Sequence, residues 1–164
     1  MPKTSDSKIL PYSAQQMYDL VADIAQYPQF IPWCAAARIR TRSSIERGTG
    51  DSTEAGVETG EEVAADLVIA FKVFRERFGS KVQLYPQSRE IITDYLDGPF
   101  KHMHSTWNFT DVEGGCRVDF HVDFEFRNFV LQKMIGLFFQ EAMDRIVRAF
   151  EARAANIYGA QGSP

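Results

Sequence analysis

The segment NFVLQKMIGLFFQEAMDRIVRAFEARAANI, residues 128–157, decides how the rest of the chain must fold. Asn128 is a strong N-cap type and the apolar pattern runs out before Gly159. The segment therefore reads as one helix of roughly 45 Å at about 1.5 Å per residue. In its second half Ala142, Met143, Ile146, Ala149 and Phe150 share one face, with Glu141, Asp144, Arg148 and Glu151 on the other. The first half differs: Val130, Leu131, Met134, Ile135, Leu137, Phe138 and Phe139 run nearly all the way round, interrupted by Gln132, Lys133 and the helix-weakening Gly136. Such a segment needs apolar company on more than one side. That company is either a covering loop or second subunit, or a ligand or lipid surface.

Working back from this helix, residues 103–126 alternate as a hairpin about Glu113-Gly114-Gly115. Met103, Ser105, Trp107 and Phe109 face inward, as do Val118, Phe120, Val122, Phe124 and Phe126. A tip at the glycines sets Trp107 opposite Phe120 and Met103 opposite Phe124. Upstream, Ile91 to Leu96 is a strand with apolar residues on both faces, and Val82 and Leu84 lie on another that Pro86 ends. Val63, Ala65, Leu67, Ile69, Phe71 and Val73 mark the inner face of a long strand, followed by Phe74 and Phe78. Gly48 to Gly60 reads as a flexible acidic loop. Before it, Ala35, Ala37, Ile39 and Ile45 alternate with Arg38, Arg40 and Arg42, a half-buried strand carrying a basic stripe. The stripe either meets an anionic partner or pairs with carboxylates such as Glu62 and Asp66 on the next strand.

Near the start, Lys8 to Leu10 is a short strand that Pro11 ends. Ser13 and Gln16 form a capping box for a helix running to about Ile24, with Tyr12 placed to staple onto Met17. Tyr27-Pro28 stops that helix. The stretch from Tyr27 through Pro28, Phe30, Pro32 and Trp33 to Cys34 then sets three aromatics on a proline-bracketed elbow, which reads as spared from the main core and free to shape a cavity mouth.

Composition narrows the function. The 164 residues are 45% hydrophobic and 13% aromatic, with 13 Phe and a net charge of -4. One domain of ordinary size follows, and the charge argues against bulk nucleic-acid affinity, so no DNA partner is expected. No run approaches the roughly 20 apolar residues of a spanning helix, which points to a cytoplasmic protein whose membrane contact would be peripheral. Cys34 and Cys116 lack metal-ligand spacing and read as free thiols. His102, His104 and His121 fall on the outward hairpin face beside Asp119, Asp123 and Glu125, an open surface without the cleft that metal or acid–base chemistry uses. No inward-facing acid or base is evident, and no catalysis, metal or cofactor is expected.

These elements imply an α+β architecture, a curved antiparallel sheet of about seven strands wrapped round the terminal helix. Between them either a filled core or an apolar cavity would lie. Its wall would be Phe71, Trp107, Phe109, Phe120 and Phe124; its lid, Leu131, Met134, Ile135 and Phe138; its mouth, Tyr27, Phe30 and Trp33. Val130 and Leu137, roughly opposite the lid residues on the helical wheel, would face a membrane or a partner.

The Tyr-Pro-x-Phe-x-Pro-Trp-Cys stretch at 27–34, the run 67–74 followed by Phe78 and Ser80, Gly98-Pro99-Phe100 before Trp107-Asn108-Phe109, and the long terminal helix occur in an order that resembles one family. It is the coenzyme Q-binding START-like proteins, grouped by fold with polyketide cyclases and dehydrases. The resemblance covers residues 5 to 158 as one domain, leaving 159–164 as a disordered tail; the insert at Gly48 to Gly60 is longer than the pattern. It implies a helix-grip fold of the START-like and Bet v 1-like kind, with a lipid cavity under the helix to which its motifs add Phe74 and Phe100. The implied role is to carry ubiquinone, or a similar isoprenoid lipid, as a ligand in support of respiration and quinone synthesis. The family also includes bacterial ribosome association toxins, so the alternative is a translation inhibitor that meets the large ribosomal subunit through Arg38, Arg40 and Arg42. A cyclase or dehydrase ranks behind both.

Overall fold

The computed structural model describes residues 3–48, 57–71 and 74–159. Strand β1 (Lys3–Leu10) leads to α1 (Ala14–Ala22), a 3-10 turn (Ile24–Gln29) and β2 (Cys34–Gly48). Strands β3 (Val57–Phe71), β4 (Phe74–Tyr85), β5 (Glu90–Asp97), β6 (Phe100–Val112) and β7 (Gly115–Phe126) follow, and α2 (Phe129–Tyr158) ends the fold. All seven strands form one antiparallel sheet in the order β1-β7-β6-β5-β4-β3-β2. The first strand thus reaches across the chain to pair with the last.

Both helices begin where their caps dictate. The Ser13 hydroxyl accepts from the Gln16 backbone N–H, and the Gln16 side chain accepts from the Ser13 N–H in return. Asn128 accepts from the N–H groups of Val130 and Leu131, satisfying two orphan donors of α2. At the other end the Gly159 N–H bonds to the Ala155 carbonyl. The hairpin register is the expected one: Trp107 opposes Phe120, and Met103 opposes Phe124.

Three sequence expectations need correction. β1 is eight residues long, not three, because its whole length hydrogen-bonds along β7. α1 stops at Ala22, and Pro28 lies inside the 3-10 turn that continues the chain. The supposed loop from Gly48 to Gly60 is ordered at both ends, where Gly48 pairs with Val57 and Ile45 with Gly60. Glu58 there is buried, accepting from Arg47 at 3.1 Å and from the Ser88 N–H at 2.9 Å. Gly60 is required by close approach, since a Cβ would sit 2.6 Å from the Tyr85 ring. The remainder of the insert, residues 49–56, and the tail from 160 to 164 lie outside the described residues.

The main core lies between the sheet, α1 and the second half of α2, where Met17, Val21, Val63 and Cys116 are sealed from solvent with Phe109, Phe150 and Ala154. Cys34 and Cys116 are both buried free thiols, and burial raises the pKa of each. A second cluster of Phe100, Phe124 and Phe126 fills the sheet end beneath the first turns of α2.

Candidate functional site

The expected aromatic wall exists, but its parts have separate tasks. Trp107 and Phe120 pack at a centroid distance of 4.4 Å and line a small cavity with Leu10, Met17 and Val118. Its volume is about 50 Å³, and its roof is Met143, Ile146, Val147 and Phe150. The lid over this cavity is therefore the second half of α2, not the first. A dry apolar cavity that takes up benzene measures about 150 Å³, so this space is too small for a quinone ring. Phe109 is 3% exposed and meets Tyr18 edge-on inside the main core, away from this cavity.

At the other end Phe100 stacks on Phe126 at 4.7 Å and meets Phe78, Tyr95 and Phe124 edge-on. The Tyr95 hydroxyl accepts from the Phe100 N–H at 3.0 Å, which fixes the Gly98-Pro99-Phe100 turn over the cluster. Phe124 and Phe100 are packed against neighbours, and Leu131 covers the same cluster. Met134 is half-buried. The side chains of Phe71, Phe74, Ile135 and Phe138, and residue Val73, lie outside the described residues.

The elbow is not spared from the core. Phe150 receives the rings of Tyr27 at 5.8 Å and Phe30 at 5.3 Å, and that of Trp107 at 5.4 Å. The Tyr27 hydroxyl donates to the Val21 carbonyl, tying the 3-10 turn back to α1. Burial drives the Tyr27 phenol pKa well above its ordinary value. Trp33 is half-buried at φ 68, with its carbonyl accepting from the Ala70 N–H at 2.8 Å. It sits where β2 begins beside the end of β3. Only Trp33 of the three keeps a place away from Phe150; proline spacing marked the elbow, but not the direction of its rings.

On α2, Phe129, Val130 and Leu137 are 75%, 70% and 78% exposed, while the second half carries the buried Phe150 and Ala154. The helix thus changes character along its length: its C-terminal part belongs to the core, and its N-terminal part presents apolar side chains to solvent.

The basic stripe is broken. Arg40 donates to Asp66 at 2.9 Å and to Asp97 at 3.3 Å, and Arg77 donates to the same two carboxylates at 2.7 and 2.9 Å. These hydrogen bonds, from Arg40 first for Asp66 and from Arg77 first for Asp97, hold both carboxyls below their ordinary pKa. A register shift between Ile39 and Thr41 then reverses the parity of β2. Arg42 consequently opposes the buried Val63 and pairs with Glu61 at 3.1 Å on the inner side. Asp66 is a partner as expected, whereas Glu61 takes the place assigned to Glu62. Because Glu61 opposes the buried Leu84, the expectation that no acid faces inward fails at this end of the sheet.

The histidines lie on the outer face, each beside polar side chains of its own, with His102 also 4.0 Å from Glu125. His102 meets Asp123 at 3.2 Å, His104 meets Asp94 at 2.7 Å, and His121 meets the Ser5 hydroxyl at 2.7 Å. Among the described residues no three His, Cys, Asp or Glu side chains are grouped to hold a metal ion, and no helix is long and apolar enough to cross a membrane.

Comparison with known proteins places these features. The family model described as polyketide cyclase / dehydrase and lipid transport matches residues 10–151. The chain is 36% identical to the ribosome association toxin RatA of Rickettsia prowazekii, over 92% of this chain and 94% of that protein. It is 33% identical to the mitochondrial coenzyme Q-binding protein COQ10 homolog B of Xenopus laevis, covering 98% of this chain but 61% of that protein. An 18 kDa protein of Caulobacter crescentus superposes with a TM-score of 0.74 at 30% identity, over 98% of this chain and all of that one. A Streptomyces aromatase/cyclase reaches the same TM-score at 16% identity over 99% of both chains, a likeness of fold alone.

Proposed function

Because the chain belongs to the polyketide cyclase/dehydrase and lipid transport family, we propose that it binds an isoprenoid quinone such as ubiquinone between α2 and the sheet, as a carrier without catalysis. The observation that supports this reading is the two-part character of α2. Its second half is fixed by Phe150, whereas its first half covers the Phe100 cluster with Leu131 and leaves Phe129, Val130 and Leu137 in solvent. Raising that half would expose an aromatic wall able to receive a ring and prenyl tail, each buried CH₂ contributing about 0.8 kcal/mol. The same apolar side chains would then serve peripheral contact with the cytoplasmic face of the inner membrane. The test is organic extraction of protein purified without detergent, followed by mass spectrometry. Quinone in near-stoichiometric amount is expected, and repeated lipid-free extracts would overturn the reading.

The near full-length likeness to a ribosome association toxin favours a second reading, binding to the large ribosomal subunit. The neutralisation of Arg40 by Asp66 and Asp97, and the turning of Arg42 to Glu61, weigh against the basic stripe as its contact. Sedimentation with ribosomal subunits at low salt separates the two readings, since counter-ion release makes such binding strongest there.

A further inference from the structure

The inner face of the β6–β7 hairpin forms a track that joins the Phe100 cluster to the small cavity. Phe124, Val122, Phe120 and Val118 follow one another along β7, with Met103, Ser105 and Trp107 opposite the first three. Phe124 and Val118 are buried at the two ends, whereas Val122, Phe120, Met103 and Trp107 are only half-buried. The helix above therefore leaves the middle of the track incompletely covered. From Phe124 to Phe120 the track covers about 13 Å at the usual rise of a strand.

Its two ends differ in chemistry. At the Phe100 end the Tyr95 hydroxyl stands among the rings, accepting from the Phe100 N–H. A hydroxyl so placed can also donate to a carbonyl oxygen. At the far end the cavity is walled by apolar side chains, and its two charged lining residues, Lys8 and Glu151, are paired with each other at 2.6 Å. A quinone ring neither fits its volume of about 50 Å³ nor finds a free polar partner there, whereas a branched hydrocarbon end needs none. Met17 and Met143 in the wall are side chains that adapt to an irregular apolar shape. Beyond them Leu10, Val118 and Phe150 are buried, so the track is closed at this end.

We propose, resting on the quinone reading, that the cavity receives the far end of the prenyl tail while the ring stays at the Phe100 end, so that the closed end sets the tail length this protein prefers. Ile146 and Val147, in the cavity roof, are then specificity-determining residues, because they fix where the tail stops. A tail too short to reach them leaves the cavity empty, and a longer one gains no further buried surface.

The experiment measures the affinity of the full chain for a series of ubiquinone analogues, from the tail-less ring upward by single isoprene units, through quenching of tryptophan fluorescence. In the parent, affinity should rise with each added unit and then level off. Val147→Phe, which fills the cavity from its roof, should weaken binding of the analogue at the plateau about tenfold more than binding of the tail-less ring, as loss of about two buried methylenes does. Ile146→Ala enlarges the cavity and should move the plateau to a longer tail, a result that stands even where Val147→Phe does not fold. Affinity that ignores tail length, equal weakening of every analogue by Val147→Phe, or a plateau that Ile146→Ala leaves in place would overturn the tail-end assignment while quinone binding itself stands. Failure of every analogue to bind the parent would overturn the quinone reading, and the assignment with it.

Discussion

Truncating Phe150 to alanine should cost about 3–5 kcal/mol of unfolding free energy, measured by urea denaturation, because Tyr27, Phe30 and Trp107 all rest on that one ring. A loss below about 1 kcal/mol would mean that these rings close up without it. Trp33 should behave differently. It holds a left-handed backbone conformation that bulky residues seldom adopt and stands beside the end of β3, so Trp33→Ala should weaken quinone retention more than it lowers the melting temperature. A large fall in melting temperature with normal retention in the folded fraction would make Trp33 plain core. At this scale the sequence spoke unevenly. Counting back from Gly114-Gly115 placed Trp107 against Phe120, since strand partners follow from the turn. It could not place Tyr27, whose hydroxyl reaches Val21 only because a 3-10 turn carries the chain through Pro28.

Within the exposed first half of α2 lies Gly136, whose position leaves open space where a Cβ would be. Gly136→Ala should therefore stabilise the helix by about 0.5–1 kcal/mol. If the first half must lift to admit quinone, the same change should slow quinone exchange between protein and vesicles; an unchanged exchange rate would argue against a hinge there. The two faces of that half are separable by charge. Leu137→Glu should leave the melting temperature and quinone content nearly unchanged and reduce vesicle binding, because its side chain is 78% exposed and a carboxylate resists transfer to an apolar surface. Met134→Glu should empty or unfold the site instead, and equal unfolding by both variants would remove the proposed membrane face. The length and caps of α2 were legible because periodicity and Asn128 are local signals. The lid position was not: hydrophobic density pointed to residues 131–138, while the sheet curves to meet Phe150. A bulge is equally hidden, since one extra residue in β2 transfers Arg42 to the other face without altering composition.

For the molecule as a whole, the outer face of the sheet is fastened across four strands by Arg40, Arg77, Asp66 and Asp97. Asp66 titrates below its ordinary range, so its contribution is present above the unfolded carboxyl pKa of about 3.9 and is lost as pH falls through the depressed folded value. Asp66→Asn should accordingly lower the melting temperature at pH 7, with the difference from the parent shrinking toward pH 3. A pH-independent difference would assign the effect to packing. The architecture was readable because alternation, turn glycines and one long helix admit few arrangements; the pairing of β1 with β7 was not, since nothing local in Lys3–Leu10 names a partner 116 positions away. That pairing is backed by Lys8 on Glu151 at 2.6 Å, by Tyr12 on Gly159 at 3.3 Å and by Tyr158 on the Gln16 carbonyl at 2.9 Å. During synthesis, β1 and α1 leave the ribosome long before β7 and α2 exist to receive them. At about 5–20 residues per second that wait lasts on the order of ten seconds. Throughout it the nascent chain carries an unmatched strand edge, and it is then that this fold is most open to pairing with the wrong neighbour.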